Sequence, residues 1–191
     1  MKKLAILVSG VGSILEAMIE SRVPIKLVLA DRKCRGEEVA KSAGIKTELL
    51  ERTFGQSFDR VQYTLDVISV LKRHEINLVV MAGYMTVFAP VMFEDSNFKN
   101  RVTNIHPSLL PAFKGDKAVA DALAFGVKVT GTTIHLATAE LDNGPIMAQQ
   151  AVPVLNGDTT ESLWERIKQV ERKIYPETVR KILKGDIKLP D

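Results

Sequence analysis

Apolar residues fall along this chain in two alternating rhythms. Leu4–Val8, Ile25–Ala30 and Leu78–Ala82 are short continuous runs, the pattern of strands buried on both faces. Between the second and third, Phe58, Val61, Leu65, Ile68 and Leu71 recur at steps of three and four, which predicts a helix with one apolar face and a charged outer side. The alanine-rich segment Lys117–Phe125 stops at Gly126, a helix followed by its expected terminator. Val127–Leu136 reads as another strand. Leu163, Ile167, Val170 and Ile174 mark a last long helix, introduced by Asp158 with Glu161 three residues on, and Pro176 is a place for it to kink. Strand runs alternating with helical patterns predict an α/β domain with a largely parallel sheet.

In open α/β sheets ligands collect at the loops beyond the strand ends, and four such loops carry candidate chemistry. Ser9-Gly10-Val11-Gly12-Ser13 is a glycine-rich turn before a helix beginning near Ile14. Helix-start N–H groups and the Ser13 hydroxyl suit a single phosphate, although a plain tight turn explains the glycines as well. Ala82-Gly83-Tyr84-Met85-Thr86-Val87-Phe88 follows a buried strand, and its large side chains fit either an apolar slot for an aromatic ligand or the core. Asn104-Ile105-His106 places an amide and an imidazole on the same side of an extended segment, and Pro107, Ser108 and Pro111 end the strand beyond them. Glu140-Leu141-Asp142-Asn143-Gly144-Pro145 is a turn between strands, in which Asp142 reads locally as a turn former.

Composition narrows the function classes. A chain of 191 residues with 46% hydrophobic content fits one domain over residues 1–191, burying roughly 70% of its unfolded surface. The first apolar run is too short for a signal peptide or membrane span, so a cytoplasmic protein is expected. Cys34 is the only cysteine, which excludes an internal disulfide, and its basic neighbours Lys33 and Arg35 come with no evident base to make it a nucleophile. The net charge of +3 is dispersed, so no nucleic-acid partner is expected, while an anionic small substrate is compatible. Three scattered histidines give no metal-ligand pattern; His74, beside Lys72 and Arg73, reads as a solvated helix-end residue, and His135 in an alternating strand reads equally as structural or catalytic.

Taken together, Ser9-Gly10-x-Gly12-Ser13, Ala82-Gly83-Tyr84-Met85, the run Asn104 through Pro111, Gly126 through His135, Leu141-Asp142-x-Gly144-Pro145-Ile146, and Glu171 with Ile174-Tyr175-Pro176 resemble the phosphoribosylglycinamide formyltransferases along nearly the full length. The resemblance implies a Rossmann-like formyltransferase fold. It also implies transfer of a formyl group from 10-formyltetrahydrofolate, a co-substrate, to the amine of glycinamide ribonucleotide in purine synthesis, without a metal. The family's catalytic trio falls on Asn104, His106 and Asp142. Asn104 and a protonated His106 would stabilise the oxyanion, and a carboxylate at Asp142 would favour the imidazolium.

For the ribonucleotide, the resemblance implies Gly12, Ser13 and the backbone of Ile14 at the phosphate, Glu171 at the ribose, and Lys168 adding positive charge. For the folate it implies Met85, Thr86, Val87 and Phe88, with Asn104 and the loop at Glu140; Arg60 would pair with the glutamate tail, or be simply a solvated helix residue. Departures from the family pattern are Val11 and Ile14 in place of asparagines, Thr86 in place of an arginine, and Asp116-Lys117-Ala118-Val119 in place of a Leu-His-Thr-His run. Alternatives are a formyltetrahydrofolate hydrolase, which would carry an extra N-terminal regulatory domain, and a non-catalytic folate-binding relative. The tRNA and nucleotide-sugar formyltransferases would add a C-terminal domain. A monomer or homodimer is equally compatible with the sequence.

Overall fold

The computed structural model describes residues 2–190 apart from Phe54 and Gln56. In chain order the elements are β1 (Leu4–Val8), α1 (Ser13–Glu20), β2 (Ile25–Ala30), α2 (Arg35–Ser42), β3 (Thr47–Leu49), α3 (Arg60–Arg73), β4 (Leu78–Met81), α4 (Val91–Glu94), β5 (Val102–His106), α5 (Ala118–Phe125), β6 (Val129–Leu136), β7 (Ile146–Pro153) and α6 (Thr160–Lys184). They build one seven-stranded sheet in the order β3-β2-β1-β4-β5-β6-β7. From β3 across to β5 every pairing is parallel, and β6 and β7 close that side as an antiparallel ribbon. The chain winds outward from β1 to β3 and then returns to place β4 on the other flank of β1. That reversal opens a crevice at the carboxyl ends of the central strands.

Both faces of the sheet are covered, which is why its central strands are continuous apolar runs. On one face Ile6, Val8 and Val28 pack against Leu15 and Met18 of α1 and Tyr175, Val179 and Ile182 of α6. On the other, Ala5, Leu7, Leu29 and Val79 meet Val67 and Leu71 of α3, with Met92 and Phe98 beyond.

The structure corrects several expectations from the hydrophobic pattern. α3 buries only part of the stripe read from the sequence, Ile68 and Leu71, with Phe58 packed at the core's edge. Val61 and Leu65 are exposed, and the inward face carries Tyr63, Thr64, Val67, Ile68 and Leu71. Polar anchors turn the helix to this face: the Tyr63 hydroxyl donates to the Leu50 carbonyl at 2.9 Å, and the Thr64 hydroxyl accepts from the Ala89 N–H at 3.0 Å. At the start of α6 the capping box is formed by Thr159 and Ser162, one residue later than read, while Asp158 receives the Leu155 N–H and the Arg166 guanidinium. Pro176 lies within α6, which continues to Lys184. Proline removes a single helical donor, and the core contacts of Tyr175 and Val179 hold the turns on either side. His74 is not solvated: it caps α3, is buried, and bonds the Glu48 carboxylate. The hydrophobic pattern does not reveal β3 and α4, which span three and four residues, or α2, whose buried residues are Gly36, Glu37 and Ala40 and include no large apolar side chain.

Gly131 in β6 has no room for a side chain. A Cβ there would lie 2.2 Å from the Gln150 carbonyl oxygen and 2.7 Å from Leu109 Cδ2. Gly131→Ala is therefore expected to lower unfolding free energy by about 2–3 kcal/mol, read as a lower midpoint in urea at an unchanged slope.

Candidate active site

The site grows out of the β5–β6 pairing. The antiparallel register sets Asn104 opposite His135 and His106 opposite Thr133. Residues directly opposite share a face, and alternate residues on one strand do too, so these four side chains project to the same side. Beyond His106 the chain breaks away as Pro107–Pro111, and Thr133 holds that break: its hydroxyl donates to the Ser108 carbonyl at 2.7 Å and accepts the Leu110 N–H at 3.0 Å.

A turn after β6 brings in the acid. Leu136 N–H donates to the Pro145 carbonyl at 2.9 Å, and a Cβ on Gly144 would lie 1.8 Å from the Leu136 carbonyl oxygen, so only glycine permits this fold-back. Asp142 turns within it at a φ of 53°, a left-handed conformation that aspartate tolerates better than most residues. Its carboxylate is thereby buried beside both rings, with Oδ2 3.3 Å from His106 Nδ1 and Oδ1 3.6 Å from His135 Nε2. Gly115 N–H also donates to Oδ2, at 2.9 Å.

His106 Nε2–H donates to the Phe113 carbonyl at 2.8 Å. Its other ring nitrogen, Nδ1, faces the Asp142 carboxylate. In His135, Nδ1–H donates to the Leu136 carbonyl at 2.9 Å, leaving Nε2 turned to Asp142 without a hydrogen-bond partner among the described residues. Burial pushes the His135 pKa down, outweighing the opposite pull of the Leu136 bond and of Asp142.

Beside this group lies a cleft of about 100 Å³. Tyr84, Thr86, Val87 and Phe88 form one wall, and Asn104, His135, Leu141 and Asp142 face them. His106, next to Asp142, is not itself among the lining residues. Met85 does not line the cleft; its side chain is exposed, and only its backbone is engaged, through an N–H to Ser9 Oγ at 2.8 Å. Glu140 also lies outside the lining, exposed, where its carboxylate accepts from Asn143 at 2.7 Å. Arg60 is an exposed residue at the start of α3, one turn before Thr64.

The other candidates sit on the opposite face of the same sheet edge. Gly12 adopts a φ of 79° at the head of α1, and a Cβ there would approach Gly36 Cα to 2.7 Å. Ser13 is half-buried and the Ile14 side chain is in the core, so only the backbone of Ile14 faces outward. Arg35, which the sequence reading considered only as a neighbour of Cys34, donates to the Val11 carbonyl at 2.7 Å and so braces this loop. On α6, Glu171 is buried and accepts from the Thr132 hydroxyl at 3.2 Å, and burial pushes its pKa up to about 7. Thr132 also donates to the His106 carbonyl at 3.1 Å, which links the two faces. Lys168 pairs with Glu165 at 3.7 Å and lies over the Trp164 ring.

The formyl transferase family matches residues 2–179 of this chain. The chain belongs to that family. A phosphoribosylglycinamide formyltransferase of Mycobacterium tuberculosis is 44% identical over 177 residues, covering 90% of this chain and 80% of that one. The enzyme of that name from Bacillus subtilis is 33% identical over 190 residues, covering 96% and 95%. Glycinamide ribonucleotide transformylase 1 from Symbiobacterium toebii superposes with a TM-score of 0.90 at 38% identity, covering 100% of this chain and 95% of that one.

Within this formyl transferase, Asp116 and Lys117 form the turn before α5, and Ala118 and Val119 open the helix. Ala118 and Val119 are buried, and Val119 packs with Val152, Leu163 and Ile167, so the altered run supplies core side chains and leaves Lys117 exposed. The Phe113 carbonyl contact had no sequence signal, because any residue offers a carbonyl. Among the described residues no helix is long and apolar enough to cross a membrane, and no group of histidine, cysteine or acidic side chains is arranged to hold a metal ion.

The displaced pKa of Glu171 makes a stability prediction. Between pH 4.5 and about 7 the unfolded chain has released this proton while the fold retains it, so folding stability falls as pH rises through that window. Glu171→Gln removes the ionisation, and is expected to raise unfolding free energy at pH 8 by on the order of 1–3 kcal/mol with little gain at pH 4.5. Paired denaturant titrations at the two pH values test it.

Proposed function

We propose that this chain, acting as one formyltransferase domain, moves the formyl group of 10-formyltetrahydrofolate to the amine of glycinamide ribonucleotide. The observation that carries the reading is the convergence of Asn104, His106, His135 and Asp142 beside an apolar cleft at the crevice of the sheet. Acyl transfer to an amine needs donors aimed at an oxygen that becomes negative, a path for the proton leaving the amine, and a dry slot for a flat donor. Asn104 and the two histidines, the Asp142 carboxylate and the cleft beside them support the reading of each part.

In this reading the pterin occupies the cleft between Thr86–Phe88 and Leu141–Asp142, and Met85 serves through its backbone. Arg60, exposed at the start of α3, pairs with the glutamate tail. The ribonucleotide phosphate rests on the N–H groups of Ser13 and Ile14 at the head of α1, with Gly12 allowing close approach and Lys168 adding charge. Glu171 accepts from the ribose hydroxyls.

When the amine attacks, negative charge grows on the formyl oxygen. The Asn104 amide donates to it, and His106 Nε2–H exchanges the Phe113 carbonyl for the oxyanion as its acceptor. Asp142 holds the opposite ring nitrogen, so the imidazolium charge is balanced as the oxyanion forms. The proton then passes to the folate nitrogen as the carbon–nitrogen bond to the donor breaks. His135 Nε2, which has no hydrogen-bond partner among the described residues, and Asp142 Oδ1 3.6 Å from it belong to residues that line the cleft, and in this reading they take up a proton of the incoming amine. The protein is proposed to act in the cytoplasm on small molecules, as a monomer or homodimer, without nucleic acid.

The test is incubation with 10-formyltetrahydrofolate, with and without glycinamide ribonucleotide, following both folate product and formylated acceptor. Acceptor-dependent turnover is expected. Formate release that ignores the acceptor would make the protein a hydrolase, and binding without turnover would make it a silent relative. Asn104→Ala is expected to lower kcat by roughly 10²–10³-fold, and His106→Ala or Asp142→Ala to abolish turnover while circular dichroism stays native. Near wild-type rates in either of the last two variants overturn the assignment. Because a carboxylate accepts from the ribose diol better than a carboxylic acid does, KM for glycinamide ribonucleotide should fall as pH rises through about 7. Glu171→Gln should flatten that trend.

A further inference from the structure

Between β4 and α4 the cleft wall, residues 83–88, belongs to no strand: Ala82 makes the last bond to β1, at the Leu7 carbonyl, and Gly83 then turns at a φ of 72°. From Ala82 onward burial alternates strictly: Ala82, Tyr84, Thr86 and Phe88 are buried, while Gly83, Met85 and Val87 are exposed. A strand owes such order to ladder bonds, which this segment lacks, so its position must come from its side chains and from side chains reaching its backbone. Tyr84 reaches the Tyr63 hydroxyl at 2.9 Å, and Thr64 Oγ1 takes the Ala89 N–H. The middle of the segment is held by Asp31.

Asp31 follows the last residue of β2 and is fully buried. Arg32 binds its carboxylate through two bonds, Nε to Oδ1 at 2.9 Å and Nη2 to Oδ2 at 3.0 Å, and Arg52 Nε lies 3.8 Å from Oδ2. Thr86 Oγ1 donates to Oδ2 at 2.6 Å. The Ser9 hydroxyl bonds the same carboxylate, and Ser9 Oγ in turn accepts the Met85 N–H at 2.8 Å. One carboxylate therefore fixes two consecutive residues of the wall, Thr86 directly and Met85 through Ser9. Burial alone would push its pKa up, yet the bonds from Arg32, Thr86 and Ser9 outweigh that and hold it below the usual carboxylate value.

We infer that Asp31 is a positioning residue for the one-carbon donor: it sets the backbone of Met85 and Thr86 at the height at which the folate ring is bound. The inference rests on the reading of this cleft as the folate site. Thr86 stands where the family resemblance leads one to expect an arginine. Arg32, just beyond β2, brings a guanidinium to the Asp31 carboxylate, which also receives the Thr86 hydroxyl, so Asp31 is the junction between that charge and the wall. An amide in place of the carboxylate would turn two N–H donors toward groups that are themselves donors, so the junction depends on an acceptor with both oxygens free to receive.

The test uses the full chain, with Asp31→Asn, Thr86→Val and the double variant. Tetrahydrofolate binding is measured by calorimetry, alongside KM for each substrate and kcat. Asp31→Asn is expected to weaken tetrahydrofolate binding and raise KM for 10-formyltetrahydrofolate by about tenfold, with KM for glycinamide ribonucleotide and kcat changed less than about twofold. Thr86→Val, which keeps the shape and loses the hydroxyl, should give much of the same loss, and the double variant should be little worse than Asp31→Asn alone. If Asp31→Asn fails to fold, Thr86→Val still decides, since unchanged tetrahydrofolate binding in it overturns the inference. Equal loss for both substrates, or full additivity in the double variant, overturns it as well. Wild-type protein that binds no tetrahydrofolate removes the folate reading itself, whereas wild-type binding that Asp31→Asn leaves intact removes only the positioning role.

Discussion

The buried carboxylate of Asp142 is the junction on which the candidate site depends. A carboxylate withdrawn from water needs donors around it, and these come from separate parts of the chain: the His106 ring from β5, the Gly115 N–H from the loop beyond it, with the His135 ring from β6 close by. The requirement runs both ways. The turn after β6 folds onto the sheet to bury the acid, and the acid holds the loop after β5 against the turn. Gly144 makes the approach sterically possible, and the left-handed backbone at Asp142 aims the side chain inward.

The sheet supplies the place for that junction. Reversal of strand order beside β1 leaves a crevice at the carboxyl ends, and the antiparallel addition of β6 brings a strand of opposite direction to the same edge. This puts His135 abreast of Asn104, an arrangement that a further parallel strand with its helical crossover would not have made from these residues. One face of the edge carries the histidines and the cleft, and the other carries Glu171, with Thr132 bonded both to Glu171 and to the His106 carbonyl. In the proposed reading, the two substrates approach from opposite faces and meet where the sheet ends.

Stability and site chemistry pull against each other at Glu171. A carboxyl with its pKa pushed up to about 7 is one the fold would rather keep neutral, and its single hydroxyl partner does not repay the lost hydration. Asp31 is the contrasting case, since it is as deeply buried yet surrounded by donors, and its pKa is lowered. The difference lies in the number and charge of the partners. An acid left short of donors inside a fold has spare capacity for a ligand; one that is saturated holds its surroundings in place.

Much of this was legible in the residues themselves. The continuous apolar runs identified the central strands, because a sheet covered on both faces leaves no polar alternation. The Asn-x-His spacing ahead of prolines marked a strand end with chemistry, because an extended backbone puts alternate side chains together. The helix face of α3 and the burial of His74 were not legible, since they turn on single hydroxyl and carboxylate contacts with β3 and neighbouring loops that no local period encodes. Nor was the withdrawal of Val119 into the core, which depends on what α6 and β7 present to it. By itself the sequence determined the central strands and the main helices, though not the short α2, β3 and α4, because the former follow from backbone geometry and the period of burial. Only the tertiary structure decided that Asp142 meets two histidines, that Met85 turns away from the cleft, and that Asp31 braces its wall. Contacts between residues distant along the chain exist only once the sheet has chosen its order and register.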